Sequence, residues 1–166
     1  MVEKENTKHY LVKLDENIQP VKLTINDIPQ IVEIYKSNWG NSGIFNYETF
    51  KSIIQQNLSF AYKVGDDIIG FCLMEYMPNV KIIEVSLLCI RRELQGNHLG
   101  KRLLIFCINY SRKLKYKKFS LHVSTGNIPA FNLYSKLGFR IEKQIKKYYH
   151  DENPKFNDAY YMTLNL

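Results

Sequence analysis

The sequence predicts an α/β (α+β) fold in which a central, twisted, mixed sheet of about six to seven strands is flanked by about four helices. Its apolar periodicity changes in the order strand, two helices, three strands, helix, strand, helix, two strands. The strand–helix–strand unit inside this order requires a parallel crossover. Because a hairpin precedes that unit, the sheet should contain both antiparallel and parallel pairs.

The amount of apolar sequence is typical of one domain. The chain has 166 residues, of which 45% are hydrophobic and 23% charged, and this composition excludes intrinsic disorder. No apolar run approaches the ~20 residues of a bilayer span, and no secretory signal or transit peptide is visible. We expect a single domain over residues 1–166, with a core from about 20 to 166 and an N-terminal extension over 1–19, that works in the cytoplasm or the nucleus.

The first third of the chain predicts a strand and two helices. Residues 20–24 alternate like a strand, and Asn26 or Asp27 is placed to cap the first helix. Residues 39–43 break that helix, and a second short helix follows. The apolar residues at helical spacing are Ile28, Ile31, Ile34 and Tyr35 in the first helix and Tyr47, Phe50, Ile53 and Ile54 in the second.

Strands dominate the middle of the chain. Residues 59–64 and 68–76 flank the turn Gly65-Asp66-Asp67, which is typical of a hairpin because glycine tolerates the positive φ of a tight turn. A second turn at 77–79 leads into an apolar strand over 81–90. The pattern becomes helical from Gly96, ending in the basic stretch 112–118.

The last third predicts one helix between short strands. Asn127 is placed to cap this helix, Pro129 suits its first turn, and Gly138 ends it. The strands are predicted at 119–123, 139–145 and 159–164.

The cysteines indicate neither a disulfide framework nor a metal site. Cys72, Cys89 and Cys107 all lie in apolar runs, the count is odd and no Cys-x-x-Cys is present. We interpret them as small buried hydrophobic residues.

The loop over residues 95–101 is the most informative segment. It reads Gln-Gly-Asn-His-Leu-Gly-Lys and joins an apolar strand to a long helix. Backbone N–H groups in such a loop, together with the positive end of the helix dipole, suit a pyrophosphate, although simple turn chemistry explains the same residues. The loop is neither a Walker motif nor a dinucleotide fingerprint.

The loop resembles motif A of the GNAT superfamily of acetyl-CoA-dependent N-acetyltransferases, whose pattern is Gln/Arg-x-x-Gly-x-Gly/Ala. Gln95, Leu99 and Gly100 fit this pattern, and His98 stands where the family usually has glycine. Later segments resemble the family's later motif in order and spacing, so that the resemblance runs from about residue 20 to the C-terminus. These segments are Leu121-His122-Val123, Asn127-x-x-Ala130 and Leu133-Tyr134-x-x-x-Gly138-Phe139.

Within the superfamily, the chain most resembles NatE-type and NatF-type protein N-terminal acetyltransferases. The Leu-His-Val strand and the pair Tyr148-Tyr149 carry this similarity. Two features depart from it. Glu84 replaces a tyrosine, as in lysine-acetylating, histone-type members, and the loop 39–45 lacks the Phe-Pro-Val of NatE-type relatives.

The resemblance implies three catalytic side chains. Glu84 lies eleven residues before Gln95, where histone-type relatives have a glutamate base, and His122 matches a catalytic histidine. Either of the two would take the proton of the amine, directly or through water. Tyr134 matches the tyrosine that protonates the departing CoA thiolate, and a backbone N–H near Leu88 or Ile90 would stabilise the oxyanion.

The resemblance also implies the binding residues, and no metal. Phe45, in a loop that should line the substrate cleft, and Tyr148 and Tyr149 would contact the substrate. The positions expected to contact acetyl-CoA are Leu88, Ile90, Gln95, Gly96, Asn97, His98, Leu99, Gly100, Lys101 and Asn127.

Each candidate also has an ordinary structural interpretation. These are a solvent-facing edge carboxylate for Glu84, a core histidine for His122, helix packing for Tyr134, and aromatic strand residues for Tyr148 and Tyr149. A buried Glu84 must be protonated, paired or functional, because an unpaired buried carboxylate is costly.

The leading hypothesis is the transfer of an acetyl group from acetyl-CoA to a primary amine, by direct attack in a ternary complex. The favoured acceptor is the α-amino group of a protein or peptide, with a lysine ε-amine or a small-molecule amine as alternatives. Polyamines are disfavoured because a chain of net charge +7 repels polycations. The non-enzymatic alternative is a degenerate domain that binds CoA or nucleic acid, although nucleic acid is not an expected partner. The sequence makes no prediction about an auxiliary subunit.

Overall fold

A computed structural model describes residues 18–40, 45–150 and 157–166 of the chain. Its seven strands form one mixed sheet, and four helices accompany them, so that the predicted fold class is confirmed. The strands are β1 (Val21–Lys22), β2 (Phe60–Val64), β3 (Asp67–Met77), β4 (Ile82–Ile90), β5 (Lys118–Ser124), β6 (Arg140–Ile145) and β7 (Ala159–Asn165). The helices are α1 (Ile28–Trp39), α2 (Tyr47–Gln55), α3 (Leu99–Lys113) and α4 (Ile128–Lys136).

The sheet has the strand order β1-β2-β3-β4-β5-β7-β6. β4 and β5 pair in parallel and are connected through α3, as the predicted crossover requires. The pairs β1–β2, β2–β3, β5–β7 and β6–β7 are antiparallel. β4 therefore has a strand on each side and is not an edge strand.

The chain folds into two compact units. Within the described residues, the first unit comprises the chain up to Met74 together with Leu87–Cys107, and the second comprises Glu75–Ser86 and Ile108–Leu166.

The core of the first unit is formed by the apolar faces of α1 and α2 together with β2 and β3. The predicted apolar residues of both helices are buried, except Tyr47, which is 50% exposed. The prediction that Tyr47 belongs to the buried face is wrong, because this residue opens α2 and lies ahead of the buried stripe. The predicted hairpin is confirmed: Gly65 has a φ of +60°, and Val64 pairs with Asp67 across a two-residue turn.

Asp27 precedes α1 without capping it through its side chain. Its carboxylate instead accepts hydrogen bonds from the backbone N–H of Thr24 at 2.8 Å and from Lys63 Nζ at 2.6 Å. The short helical turn Ile25–Asp27 brings the carboxylate back towards Thr24, and the lysine reaches it from β2. Asp27 is therefore a buried carboxylate whose charge is paired.

In the second unit, β5 separates a buried apolar face from a polar face. Phe119, Leu121 and Val123 are buried, whereas Ser120 and His122 alternate with them and point to the opposite face. The predicted helix α4 follows, and its cap is confirmed because Asn127 Oδ1 accepts a hydrogen bond from the N–H of Ala130 at 3.2 Å.

The three cysteines are buried and are not in disulfides, which confirms their interpretation as small core residues. Burial raises the pKa of the Cys89 thiol to about 12, and a thiol in this state is a poor nucleophile. No helix in the described ranges combines the length and apolar character that crossing a bilayer requires.

Asp27→Asn is expected to lower the free energy of unfolding at neutral pH by about 1–3 kcal/mol, because Lys63 loses its charged acceptor. Burial acts to raise the pKa of Asp27, but the hydrogen bonds from Lys63 and Thr24 outweigh it and hold the pKa below the ordinary 3.8. A lowered native pKa makes this stabilisation complete above the ordinary value and removes it as pH falls through the native value. Urea unfolding at pH 7 and at stepwise lower pH measures the difference.

The matched control is Asp66→Asn, which changes an exposed carboxylate in the hairpin turn. The control should track the wild type at every pH. A difference in unfolding free energy between the wild type and Asp27→Asn that stays constant as the pH is lowered through the native pKa would contradict the assigned role of this charge.

Candidate active site

The loop that follows β4, in the first unit, has left-handed backbone at two positions. A short helical turn at Arg92–Leu94 comes first, and φ is then +82° at Gly96 and +60° at His98. The prediction that the helix begins at Gly96 is wrong, because these conformations are incompatible with a right-handed helix and α3 begins at Leu99. His98 thus adopts the conformation that glycine adopts most readily, at the position where the motif usually has glycine.

The first turn of α3 offers free backbone donors. The backbone N–H of Arg102 donates to His98 O at 3.0 Å, and no acceptor in the described part of the chain contacts the N–H groups of Leu99, Gly100 or Lys101. A Cβ built on Gly96 would meet no atom within 4 Å, so the backbone there is open to approach. Free N–H groups at the start of a 15-residue helix form a site with the chemistry that a pyrophosphate needs.

Two predicted cofactor residues hold the loop in place through their side chains. Gln95 Nε2 donates to Asn38 Oδ1 at 2.7 Å and to Ile90 O at 3.1 Å. Asn97 Nδ2 donates to Leu94 O at 3.1 Å. Sequence reasoning missed Asn38, which lies on α1 far away in the chain and gave no local signal.

Glu84 and His122 lie in direct side-chain contact in the second unit. His122 Nδ1 lies 3.2 Å from Glu84 Oε1, and Ser120 Oγ donates to Glu84 Oε2 at 3.3 Å. The side chains of Glu84 and His122 are 18% and 16% exposed. Because β4 is not an edge strand, the interpretation of Glu84 as a solvent-facing edge carboxylate is wrong.

The register of the sheet brings these three residues together. Glu84 on β4 pairs with Ser120 on β5, and His122 follows Ser120 by two residues, on the same face of the strand. Sequence reasoning identified Glu84 and His122 but missed Ser120. The available signal was that Ser120 and His122 are two residues apart on one strand and so share a face. This signal identifies Ser120 only once the register of β5 against β4 is known.

Aromatic rings surround His122. Tyr148 stacks on the imidazole with ring centroids 4.4 Å apart and an interplanar angle of 10°, and Tyr161 lies at 4.9 Å. Tyr149 packs edge-on against Tyr148 at 4.8 Å. Tyr148 and Tyr149 lie beyond the end of β6 and outside any strand, so their alternative interpretation as strand residues is wrong.

The electrostatics of the tyrosines show which charges lie near them. Burial raises the pKa of Tyr148, and the carboxylates of Glu84 and Glu75 raise it further. Burial likewise raises the pKa of Tyr149, with added contributions from Tyr148, Tyr134 and Glu84. Both phenols are therefore neutral near pH 7, and Tyr134 belongs to the same cluster.

The remaining predicted residues have defined structural contacts. Tyr134 is 9% exposed on α4 and its ring lies 5.8 Å from that of Phe139, so it packs in the core as well as facing the tyrosine cluster. In the first unit, the ring of Phe45 packs against those of Tyr35 and Phe50, with ring centroids 5.6 Å and 5.5 Å apart, respectively. Residues 41–44 of the predicted substrate loop lie outside the described residues.

A cavity of about 450 Å³ opens beside the Glu84–His122 pair. This volume lies in the range of small-molecule sites. Its wall combines the pair with Tyr161, Lys143 and apolar groups; the lining residues are Met77, Pro78, Asn79, Val80, Ile82, Glu84, His122, Lys143 and Tyr161. Sequence reasoning missed Lys143 and Tyr161, because each is unremarkable within its own strand.

Structures of three acetyltransferases are similar to this one over most of their length. A ribosomal-protein alanine N-acetyltransferase from Escherichia coli is 22% identical, with 89% of this chain and 92% of that chain covered at a TM-score of 0.77. Naa50 of Arabidopsis thaliana, bound to the bisubstrate analogue CoA-Ac-MVNAL, is 20% identical, with 90% of this chain and 99% of that chain covered at a TM-score of 0.76. The PaiA N-acetyltransferase of Thermoplasma acidophilum, in complex with coenzyme A, is 22% identical, with 90% of this chain and 99% of that chain covered at a TM-score of 0.70.

At these identities the structures establish the fold. No curated protein sequence matches the chain. A sequence model of the Acetyltransferase (GNAT) family, however, matches residues 28–139, which include the loop after β4, Glu84, His122 and Tyr134. The chain therefore belongs to the GNAT family of acetyltransferases.

Proposed function

We propose that this chain transfers an acetyl group from acetyl-CoA to the α-amino group of a protein or peptide, and that it is most similar in activity to NatE-type and NatF-type enzymes. The observation that carries the proposal is the Glu84–His122 pair, held by Ser120 and covered by Tyr148, beside a cavity large enough for the end of a peptide. Naa50, one of the similar structures, binds a CoA–peptide analogue, which supports a peptide acceptor.

The loop after β4 fits the pyrophosphate of CoA. The N–H groups of Leu99, Gly100 and Lys101, which no acceptor of the described residues contacts, point out of the first turn of α3, and the helix dipole favours an anion there. When bound, acetyl-CoA supplies the acetyl group as an activated thioester. Asn127 and the backbone of Leu88 and Ile90 are the further proposed contacts of acetyl-CoA.

The Glu84–His122 pair acts as the base in this proposal. An amine arrives protonated and must lose a proton before its nitrogen attacks. The pair accepts that proton, either directly or through a water molecule, as the C–N bond forms and the C–S bond breaks. Tyr134 supplies a proton to the departing thiolate, and a backbone N–H near Leu88 or Ile90 donates to the carbonyl oxygen as its negative charge grows.

The substrate class is tested by CoA release from acetyl-CoA with three acceptors in parallel. These are a peptide with a free N-terminal Met-Leu or Met-Lys, an N-blocked peptide with an internal lysine, and spermine. We expect release with the free N-terminus alone. Release with the blocked peptide alone would place the chain among lysine acetyltransferases, which Glu84 favours as the alternative, and release with spermine alone would identify a small-amine enzyme.

Glu84→Gln and His122→Ala are each expected to lower kcat about 10²-fold, as the loss of a general base does. The affinity for CoA should be retained in both, since neither residue belongs to the loop after β4. Steady-state rates across pH 6–9 measure the effect, and the true base is the residue whose replacement abolishes the rise of kcat/KM with pH.

The matched control for Glu84→Gln is Glu48→Gln, an exposed carboxylate in the first turn of α2, which should leave the rate and its pH profile unchanged. If neither Glu84→Gln nor His122→Ala lowers the rate, the base is another group.

His98→Val is expected to weaken CoA binding about tenfold, because a β-branched residue costs at least ~1–2 kcal/mol in the left-handed conformation that His98 adopts. His98→Asn is the matched control and should retain affinity, since asparagine tolerates this conformation. Isothermal titration with CoA measures both. Equal affinities for the two variants would show that the left-handed backbone at residue 98 is not needed for binding.

A further inference from the structure

Four side chains of different chemistry lie in a row across the polar face of the second unit. Glu84 on β4 contacts His122 on β5. His122 is paired in register with Tyr161 on β7, and Tyr161 is paired in register with Lys143 on β6. Residues paired in this way lie on one face of the sheet, and all four line the same cavity.

Lys143 is the cation of this row. Its Nζ lies 5.6 Å from the centre of the Tyr161 ring, and it contacts no carboxylate among the described residues. Neighbouring lysines differ in this respect: Lys118 pairs with Glu142 at 3.3 Å, and Lys146 pairs with Asp158 at 2.7 Å. No carboxylate of the described residues therefore compensates the positive charge of Lys143, which lies at the cavity beside an aromatic ring.

The opposite end of the row accepts a proton. In the proposed function, on which this inference rests, the substrate amine is held at Glu84 and His122. A ligand that satisfies both ends carries an amine at one end and a negative charge at the other, with an aromatic surface between them at Tyr161.

The spacing of the row indicates where the negative charge lies in a peptide. Two strand spacings separate the backbones of His122 and Lys143, which is about 10 Å. A carboxylate on the first residue of a peptide lies roughly 4 Å from its α-nitrogen, whereas one on the second residue lies roughly 7–8 Å away. The second residue matches the row better, because the Lys143 side chain leans over Tyr161 and shortens the gap.

We propose that Lys143 is a specificity-determining residue that selects peptides with an acidic side chain at the second position. The lysine pairs with that side chain while the α-amine lies against Glu84 and His122. Selection acts mainly on binding and so on KM, because Lys143 does not touch the reacting atoms.

The test compares kcat/KM for peptides that begin Met-Asp, Met-Asn, Met-Lys and Asp-Ala and are otherwise identical. We expect kcat/KM for Met-Asp to exceed that for Met-Asn about fivefold, which corresponds to the energy of a favourable exposed ion pair. The difference should lie in KM, and added salt should reduce it. Lys143→Met should bring the ratio of kcat/KM for Met-Asp to that for Met-Asn to about one. Lys143→Glu should reverse the preference, so that Met-Asp falls below Met-Asn and Met-Lys becomes the favoured peptide.

The control is Lys113→Glu, which changes the net charge equally at the last residue of α3 and should keep the wild-type ratio. Four results would overturn the proposal: a wild-type ratio near one, an unchanged ratio in Lys143→Glu, a loss of the ratio in Lys113→Glu, or a preference for Asp-Ala over Met-Asp. In each case acetylation of Met-Asn by the wild type shows that the proposed function stands. Absence of acetylation of every peptide would mean that the proposed function fails and this inference with it.

Discussion

The parallel pairing of β4 with β5 is the constraint on which the candidate catalytic group depends. It sets Glu84 opposite Ser120 and brings His122, two residues further along β5, within hydrogen-bond distance of the same carboxylate. A shift of one residue in this register would turn Ser120 and His122 to the apolar face. Because Phe119 and Leu121 must be buried, the hydrophobic core itself maintains the arrangement of the polar face.

The loop after β4 depends on a different constraint, the local conformation of the backbone. The left-handed backbone at Gly96 and His98 changes the direction of the chain, and α3 then begins at Leu99. Its first N–H groups have no acceptor among the described residues. The side chains of Gln95 and Asn97 satisfy nearby backbone and amide oxygens, which holds the loop in this form. The departure from the family pattern at His98 thus changes the side chain while the backbone keeps the conformation that glycine would take.

The sequence was informative wherever the signal was local. For the described residues, periodicity, capping residues and the Gly65 turn predicted the four α-helices and the seven strands in order. Motif spacing identified Glu84, His122 and the loop. The start of α3 was misplaced because the left-handed backbone at His98 could not be recognised from the sequence. Ser120, Tyr161 and Lys143 were missed because their position beside His122 follows from the pairing of strands that are distant in the chain, which a single sequence does not reveal.

The net charge of +7 is a poor guide to the substrate, because a substrate experiences the charges nearest to it. Around the Tyr148 hydroxyl those charges are the carboxylates of Glu84 and Glu75, and Glu75 accepts a hydrogen bond from Ser86 Oγ at 2.5 Å. A positive charge close to these two carboxylates is therefore attracted although the whole chain is basic. The argument from net charge against polyamines loses its force at this point. In the proposed function, Lys143, two strands away from His122, opposes a second positive charge, so that discrimination between monoamines and polyamines follows from this side chain and not from the overall charge.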